Sequence, residues 1–299
     1  RFPGIRAYMD GEVHNIPCHH AMGLYTAGVC FRNDDWKTSP RKFMAKVVDK
    51  QDTAGFWSEH YGPVVTYNTV YVEALGIYYT YSKDPVVLPA LQRASVFHAN
   101  GLWPDGSAVS CIDERVIYEK GVRVPSVGFT WSAEGRGYVV KQMKDWSRGG
   151  ERLLGAELAA DMLRYAGKGD IKTPPSAADK SSSVLGNDEA LFCREKPWAW
   201  AYSAYACKPS TSRWIQDRQN HVDVFHDAMG LVAGGGNTKL QPYWSTFTVG
   251  DPSLLKHTPG DENPNFVPDV ALHWTADAGA LAKEGDVSSL QLRYRDIAC

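Results

Sequence analysis

Apolar residues recur at helical spacing through the first 166 residues of this chain, and in short strand-like runs after residue 185. Residues 18 to 31 read as a first helix, with Pro17 in its opening turn and Asn15 near its cap. Ser39-Pro40 opens a second helix, running to about Lys50 with Lys and Arg on its solvent side. Gly62-Pro63 precedes a third, in which Tyr67, Tyr71, Leu75 and Tyr78 mark one face. Asp84-Pro85 opens a fourth that closes near Asn100-Gly101, so these four predict two helical hairpins in tandem. From Leu102 to Phe129 the Gly, Pro and brief runs such as Arg115-Val116-Ile117-Tyr118 predict a long loop with a small hairpin. A fifth helix from about Ser132 and a sixth from Glu151 to Ala166, stopped by Gly167, complete a third hairpin.

Residues 167–184 carry Gly-Lys-Gly-Asp, Pro174-Pro175 and Ser181-Ser182-Ser183, a composition that predicts a linker or exposed crossover. Beyond it, His221 to Phe225 and Gly230 to Gly234 predict two strands joined tightly through Asp227. Tyr243 to Val249, Ala271 to Trp274 and Leu290 to Tyr294 are further strand candidates. Helices followed by strands, with little alternation, predict an α+β protein. The expected divisions are a helical domain over 1–166, a linker over 167–184 and an antiparallel β domain over 185–299.

Length and composition refine this picture. The chain has 299 residues, 43% of them hydrophobic, enough for a large core and more than one domain usually holds. A net charge of −2 argues against a nucleic-acid partner, which calls for a basic face or stripe. No apolar run approaches the length of a membrane span, and no signal-like start is present. The opening at Arg1 without Met and the abrupt end at Cys299 suggest a mature or trimmed piece of something longer. None of the six cysteines forms a C-x-x-C pair, which removes zinc-ribbon and thioredoxin-like readings; Cys193 and Cys207 are either a disulfide of an exported protein or free thiols.

The chemistry-bearing residues gather at three helix openings: His14-Asn15-Ile16-Pro17-Cys18-His19-His20, then Ser58-Glu59-His60 leading into Tyr67-Asn68, and Trp131-Ser132-Ala133-Glu134-Gly135-Arg136. In stacked hairpins every second helix starts on the same side, so these openings are expected to line one cleft. Such residues suit removal of a proton next to a carboxylate. His19 and His20 point about 100° apart on a helix, so one is expected to face the cleft and the other to pack.

The order of helical hairpins and then antiparallel β structure resembles the heparinase II/III and alginate-lyase group of polysaccharide lyases. Cys18-His19-His20-Ala21-Met22-Gly23 is similar to the Asn/His-rich helix opening of those enzymes. Trp57-Ser58-Glu59 followed by Thr66-Tyr67-Asn68-Thr69-Val70-Tyr71 resembles their tyrosine-bearing inner helix. Arg218-Gln219-Asn220-His221, with Asp227 and Gly230 to Gly236, resembles the opening of their β domain. The resemblance implies a partial (α/α) toroid joined to an incomplete β-sandwich, secreted or periplasmic, cleaving a uronic-acid-containing anionic polysaccharide by β-elimination. It requires no cofactor, and leaves room for a structural divalent metal.

On this resemblance Tyr67 is the first choice for base or acid and Tyr71 the second, the alternative being that both are core aromatics. Asn68 stands where the resemblance calls for a histidine. His19, His20 and Asn15 would neutralise the uronate carboxylate, Asn15 serving equally as a helix cap. Glu59 and His60 line a subsite or solvate a loop. Arg136 either clamps a uronate or pairs with Glu134 or Asp113. The resemblance also places a histidine of the β domain over the helical cleft, and His221 fits; alternatively His221, Asp223 and His273 hold a metal. A glycoside hydrolase, drawing paired acids from Glu59, Asp105, Asp113, Glu114 and Glu134, is the rival enzyme, and a silent carbohydrate-binding protein the third class.

Overall fold

Two sets of segments, each with its own core, make up the computed structural model, which describes residues 9–59, 62–114, 117–148, 154–206, 220–235, 276–285 and 287–294. One unit takes 1–59, 65–99 and 122–174, the other 60–64, 100–121 and 175–299. The α-helices belong to the first, and the five-stranded sheet and the 278–293 hairpin to the second, an α+β arrangement. The units interleave along the chain, unlike the expected single division at 167–184. Among the described residues no helix is long and apolar enough to cross a membrane.

In the helical unit, α1 (Asn15–Cys30) and α2 (Asp35–Asp49) pack as an antiparallel pair. Cys18 Sγ lies 3.9 Å from Met44 Sδ at one end, and Arg41 Nη2 donates to the Tyr25 hydroxyl at 3.3 Å nearer the other. Helix α2 begins four residues earlier than Ser39, because Asn33 Oδ1 accepts the Trp36 N–H and acidic Asp35 suits a helix start. Pro40 lies inside the helix rather than opening it. Helix α3 (Val65–Ser82) runs parallel to α1: His19 meets Val70 near their starts, and Tyr25 meets Tyr78 edge-on further along. From Tyr71 to Tyr78 only Glu73 escapes burial, so apolar residues surround this helix on nearly every side.

Helix α4 (Val87–Asn100) packs on the connection before α3, where Gln51 Nε2 donates to the Ala90 carbonyl and Phe56 contacts Phe97. A 3-10 turn (Val127–Trp131) lies against α3, so closely that a Cβ on Gly128 would sit 1.9 Å from the Val72 carbonyl oxygen. Helices α5 (Ala133–Arg148) and α6 (Ala156–Tyr165) follow, and α6 has no buried residue. Residues 167–174 pack on α5 instead of forming a free linker: Lys172 N–H donates to Ala133, and Gly137 leaves room for the Lys172 carbonyl.

The β unit is a five-stranded antiparallel meander: β1 (Lys180–Leu185), β2 (Ala190–Glu195), β3 (Trp198–Ser203), β4 (Val222–His226) and β5 (Gly230–Ala233), in that spatial order. Strand β1 occupies the end of the expected linker. The hairpin foreseen around Asp227 is β4–β5, with a register shift between Val224 and Phe225. A separate hairpin pairs β6 (Ala278–Glu284) with β7 (Val287–Arg293), the latter overlapping the candidate at Leu290 to Tyr294. The candidates Tyr243 to Val249 and Ala271 to Trp274 lie outside the described residues, as do Arg115 and Val116 of the expected small hairpin.

The loop 100–121 belongs to this sheet because Asp223 holds it there. Asp223 Oδ2 accepts from Ser110 N (2.8 Å), Ser110 Oγ (2.7 Å) and Cys111 N (2.8 Å), while Oδ1 accepts from Asn220 Nδ2 (2.6 Å) and Gly235 N (3.3 Å). Trp103 then stacks on Phe225, centroids 5.3 Å apart and planes 12° apart.

Two stability measurements follow. Asp223→Asn keeps the shape but turns an amide donor toward groups that are themselves donors. Urea unfolding should show a loss of about 3 kcal/mol or more; a loss under about 1 kcal/mol would remove Asp223 as the anchor. His98 is buried against Phe97, Phe129 and Tyr138, and burial lowers its pKa from 6.5 to about 3. Between those values the unfolded chain binds the proton more readily, so stability falls with acidity from pH 6.5 toward 3. This group contributes up to about 1.4 kcal/mol per pH unit, a slope that should be lost from the His98→Leu profile and so appear in the wild-type minus His98→Leu difference.

Candidate functional site

The parallel alignment of α1 and α3 brings two of the three polar openings to the same end of the helical unit. His19 Nε2 lies 3.1 Å from the Val70 carbonyl, so Nε2–H donates and the ring orientation is fixed on α3. His20, the next residue, is also half-buried. Asn15 stands at the first position of α1, where its Oδ1 accepts the Ile16 N–H at 2.6 Å; His14, not Asn15, is the capping residue. Burial raises the pKa of Glu73, a half-buried residue of α3, with nearby His19 acting in the opposite direction and Asp161 and Glu157 on α6 adding to the rise. Sequence reasoning missed Glu73, because its proximity to His19 depends on helix pairing across more than fifty residues.

Tyr67 and Tyr71 share a face of α3, but their surroundings separate them. Tyr71 is 1% exposed, stacks on Trp57 with centroids 5.0 Å apart, and donates its hydroxyl to Glu59 Oε1 at 2.8 Å. Burial first, and then Glu59, raise its phenol far above the ordinary tyrosine range. A group so enclosed and so weakly acidic does not suit proton transfer to a polymer, so the second-choice base is a core tyrosine. Glu59 is its buried acceptor, with no open face toward a subsite. Tyr67 lies one turn nearer the start of α3 and is half-buried.

Asn68 is fully buried, and its side-chain amide closes on the backbone of Trp57. Oδ1 accepts the Trp57 N–H at 2.7 Å, and Nδ2 donates to the Trp57 carbonyl at 3.3 Å. It is a structural clamp rather than a substrate ligand. Arg136 is likewise committed to backbone: Nε donates to the Asp170 carbonyl and Nη1 to the Thr130 carbonyl, both at 2.7 Å. Glu134, the expected ion-pair partner, meets Lys172 at 3.4 Å. Arg136 therefore straps residue 170 to the start of α5 instead of presenting a fork to a uronate. His60 lies outside the described residues.

In the β unit, His221 Nδ1 lies 2.8 Å from the Ser203 carbonyl, while Nε2 is buried with no hydrogen-bond partner among the described residues. Burial lowers the pKa of this ring, so it is a neutral imidazole whose Nε2 lone pair can accept a proton or hydrogen bond. Asp223 shares its face, but both carboxylate oxygens are occupied by donors, which removes it from the alternative metal set. His273 lies outside the described residues, and among those described no group of three His, Cys, Asp or Glu residues could hold a metal. Cys193 is a buried thiol, and Cys207 falls outside the described residues.

One face of the sheet carries a feature that the alternation Trp198-x-Trp200-x-Tyr202 signals and that sequence reasoning passed over. The register Cys193↔Trp200↔Val224 puts these rings beside Val222 and Val224, lining an open groove of about 540 Å³ with Glu195 and Lys196 at one end. Trp198 is 41% exposed.

No family model, curated protein or solved structure matches this chain. The structural roles of Asn68 and Tyr71 can be checked directly by denaturant unfolding. Asn68→Ala should cost about 2 kcal/mol, because Trp57 loses partners at both its N–H and carbonyl inside the core. Tyr71→Phe should cost about 1–2 kcal/mol, because buried Glu59 Oε1 loses its hydroxyl donor. If neither variant moves the midpoint, these are not core clamps.

Proposed function

We propose that this chain is part of a polysaccharide lyase that cleaves a uronic-acid-containing polysaccharide by β-elimination, with Tyr67 as its proton-transfer group. The observation that carries the reading is the parallel start of α1 and α3. It sets His19 against Val70 and leaves Tyr67 as the less buried of the two candidate tyrosines. Repeated hairpins of the α1–α2 kind, with inner helices starting at one end, would build an (α/α) toroid. The antiparallel sheet would belong to a β-sandwich. A polymeric substrate accords with a secreted or periplasmic enzyme, and the reaction itself calls for no cofactor.

The chemistry asks for three things. The uronate carboxylate must be neutralised before the C5 proton can leave, because its charge opposes a carbanion. The polar side chains of the α1 opening, His20 and Asn15, would supply donors there, beside His19 held by its Nε2–H on the Val70 carbonyl. A base must then take the C5 proton, and an acid must give one to the departing glycosidic oxygen. Tyr67, in the first turn of α3, would serve both roles.

A non-catalytic carbohydrate-binding protein is the second reading, favoured by the groove of Trp198, Trp200 and Tyr202, whose ring faces suit stacking against pyranose rings. Incubation with alginate, heparan-type glycans, glucuronan and ulvan separates the readings. A lyase produces the ultraviolet-absorbing unsaturated uronate, a hydrolase produces reducing ends without it, and a binder produces neither. In the lyase case Tyr67→Phe should lower turnover by about a hundredfold or more with little change in stability. Tyr71→Phe, corrected for folded fraction, should stay within a fewfold of wild type. Unchanged turnover in Tyr67→Phe would remove Tyr67 from the reaction.

A further inference from the structure

In the β unit lies a small, partly enclosed cavity of about 20 Å³, walled by apolar groups such as Leu102, Val109 and Phe192. Trp103, Ser176 and Arg194 also line it, each more than nine-tenths buried. The Trp103 Nε1, Ser176 Oγ and Arg194 Nε atoms are all buried with no hydrogen-bond partner among the described residues. The rest of each residue is well fixed. Arg194 Nη1 donates to the Trp198 carbonyl and Nη2 to Asp227 Oδ2, while Trp103 stacks on Phe225. Three residues with an unpartnered buried donor, from a loop, a 3-10 turn (Pro175–Ala177) and strand β2, thus line one cavity.

We infer that this cavity is a binding site for a single halide-sized anion, chloride under ordinary conditions. Its volume admits one small occupant, being slightly above what a water molecule needs. The chemistry of its walls selects which. An indole N–H and a guanidinium N–H donate and cannot accept. A water placed among them needs an acceptor for each of its own protons, and among the lining side-chain oxygens only the Ser176, Ser181 and Asn100 groups offer one. A monatomic anion accepts from all three and needs no acceptor in return. The Arg194 guanidinium supplies the positive charge; Asp227 balances it on the outer side, where that carboxylate is 28% exposed and remains hydrated.

The test is thermal unfolding of the whole chain in sodium chloride, sodium bromide or sodium gluconate at one ionic strength, with crystals soaked in bromide for anomalous diffraction. Chloride and bromide should raise the melting temperature saturably over gluconate, by roughly 3–5 °C once the halide exceeds its dissociation constant about tenfold. An anomalous bromide peak should sit among Trp103, Ser176 and Arg194. Trp103→Phe keeps the ring on Phe225 but removes one donor, and should lose most of the halide-dependent increment while still folding in gluconate. Arg194→Lys, which lacks the Nε donor, should do the same. Equal melting in halide and gluconate, an ordered water with no anomalous signal, or an undiminished increment in Trp103→Phe would each overturn the assignment.

Discussion

Burial of α3 on nearly all sides is the constraint from which the helical unit is built. A helix enclosed by apolar neighbours can carry polar groups only where each finds a partner, and Asn68 and Tyr71 show the two ways this is met. Asn68 turns its amide onto the backbone of Trp57, and Tyr71 gives its proton to Glu59. Both partners come from the segment just before α3, so the same bonds that satisfy the core also fold residues 57–59 back against the helix. Tyr67 sits at the edge of this enclosed region, and the distinction between two tyrosines one turn apart is set by depth alone.

The β unit solves a similar problem with a charge. A carboxylate at a position with no exposed surface is tolerable because five donors surround Asp223, and those donors fix the conformation of residues 110 and 111. Gly235 N–H completes the set from the end of β5. The loop thereby becomes the inner layer of the sheet, with Trp103 on Phe225, although its Gly- and Pro-rich sequence gives no periodic sign of it.

The helices were legible because Pro, Gly and Asp punctuate them and Tyr71, Leu75 and Tyr78 repeat at helical spacing. The start of α2 was misread because Pro40 is tolerated in the second turn, where proline ordinarily marks a first one. The β4–β5 hairpin was legible through Asp227 and the glycine at 230. Strand β1 was hidden by serines, whose alternation along 181–185 shows only once Leu185 and the strands beside it are known. At the candidate site, residue types could be chosen from the sequence but not their burial. Asn68 and Arg136 have the right chemistry for a uronate, and both are taken by backbone groups of their own chain. Glu73 was invisible because nothing local connects it with His19.

The Ser110–Asp223 bond joins residues 113 positions apart, and the whole segment 122–174 of the helical unit lies between them in sequence. Closing so long a span costs chain entropy that neighbouring strands of the meander do not face, so the sheet's strand pairs can form locally while its inner layer arrives last. During synthesis the 100–121 segment emerges long before its acceptor carboxylate exists. The two units therefore interleave in chain order: a cut near residue 167 would leave residues 100–121, the inner layer of the sheet, on the product that lacks its five strands.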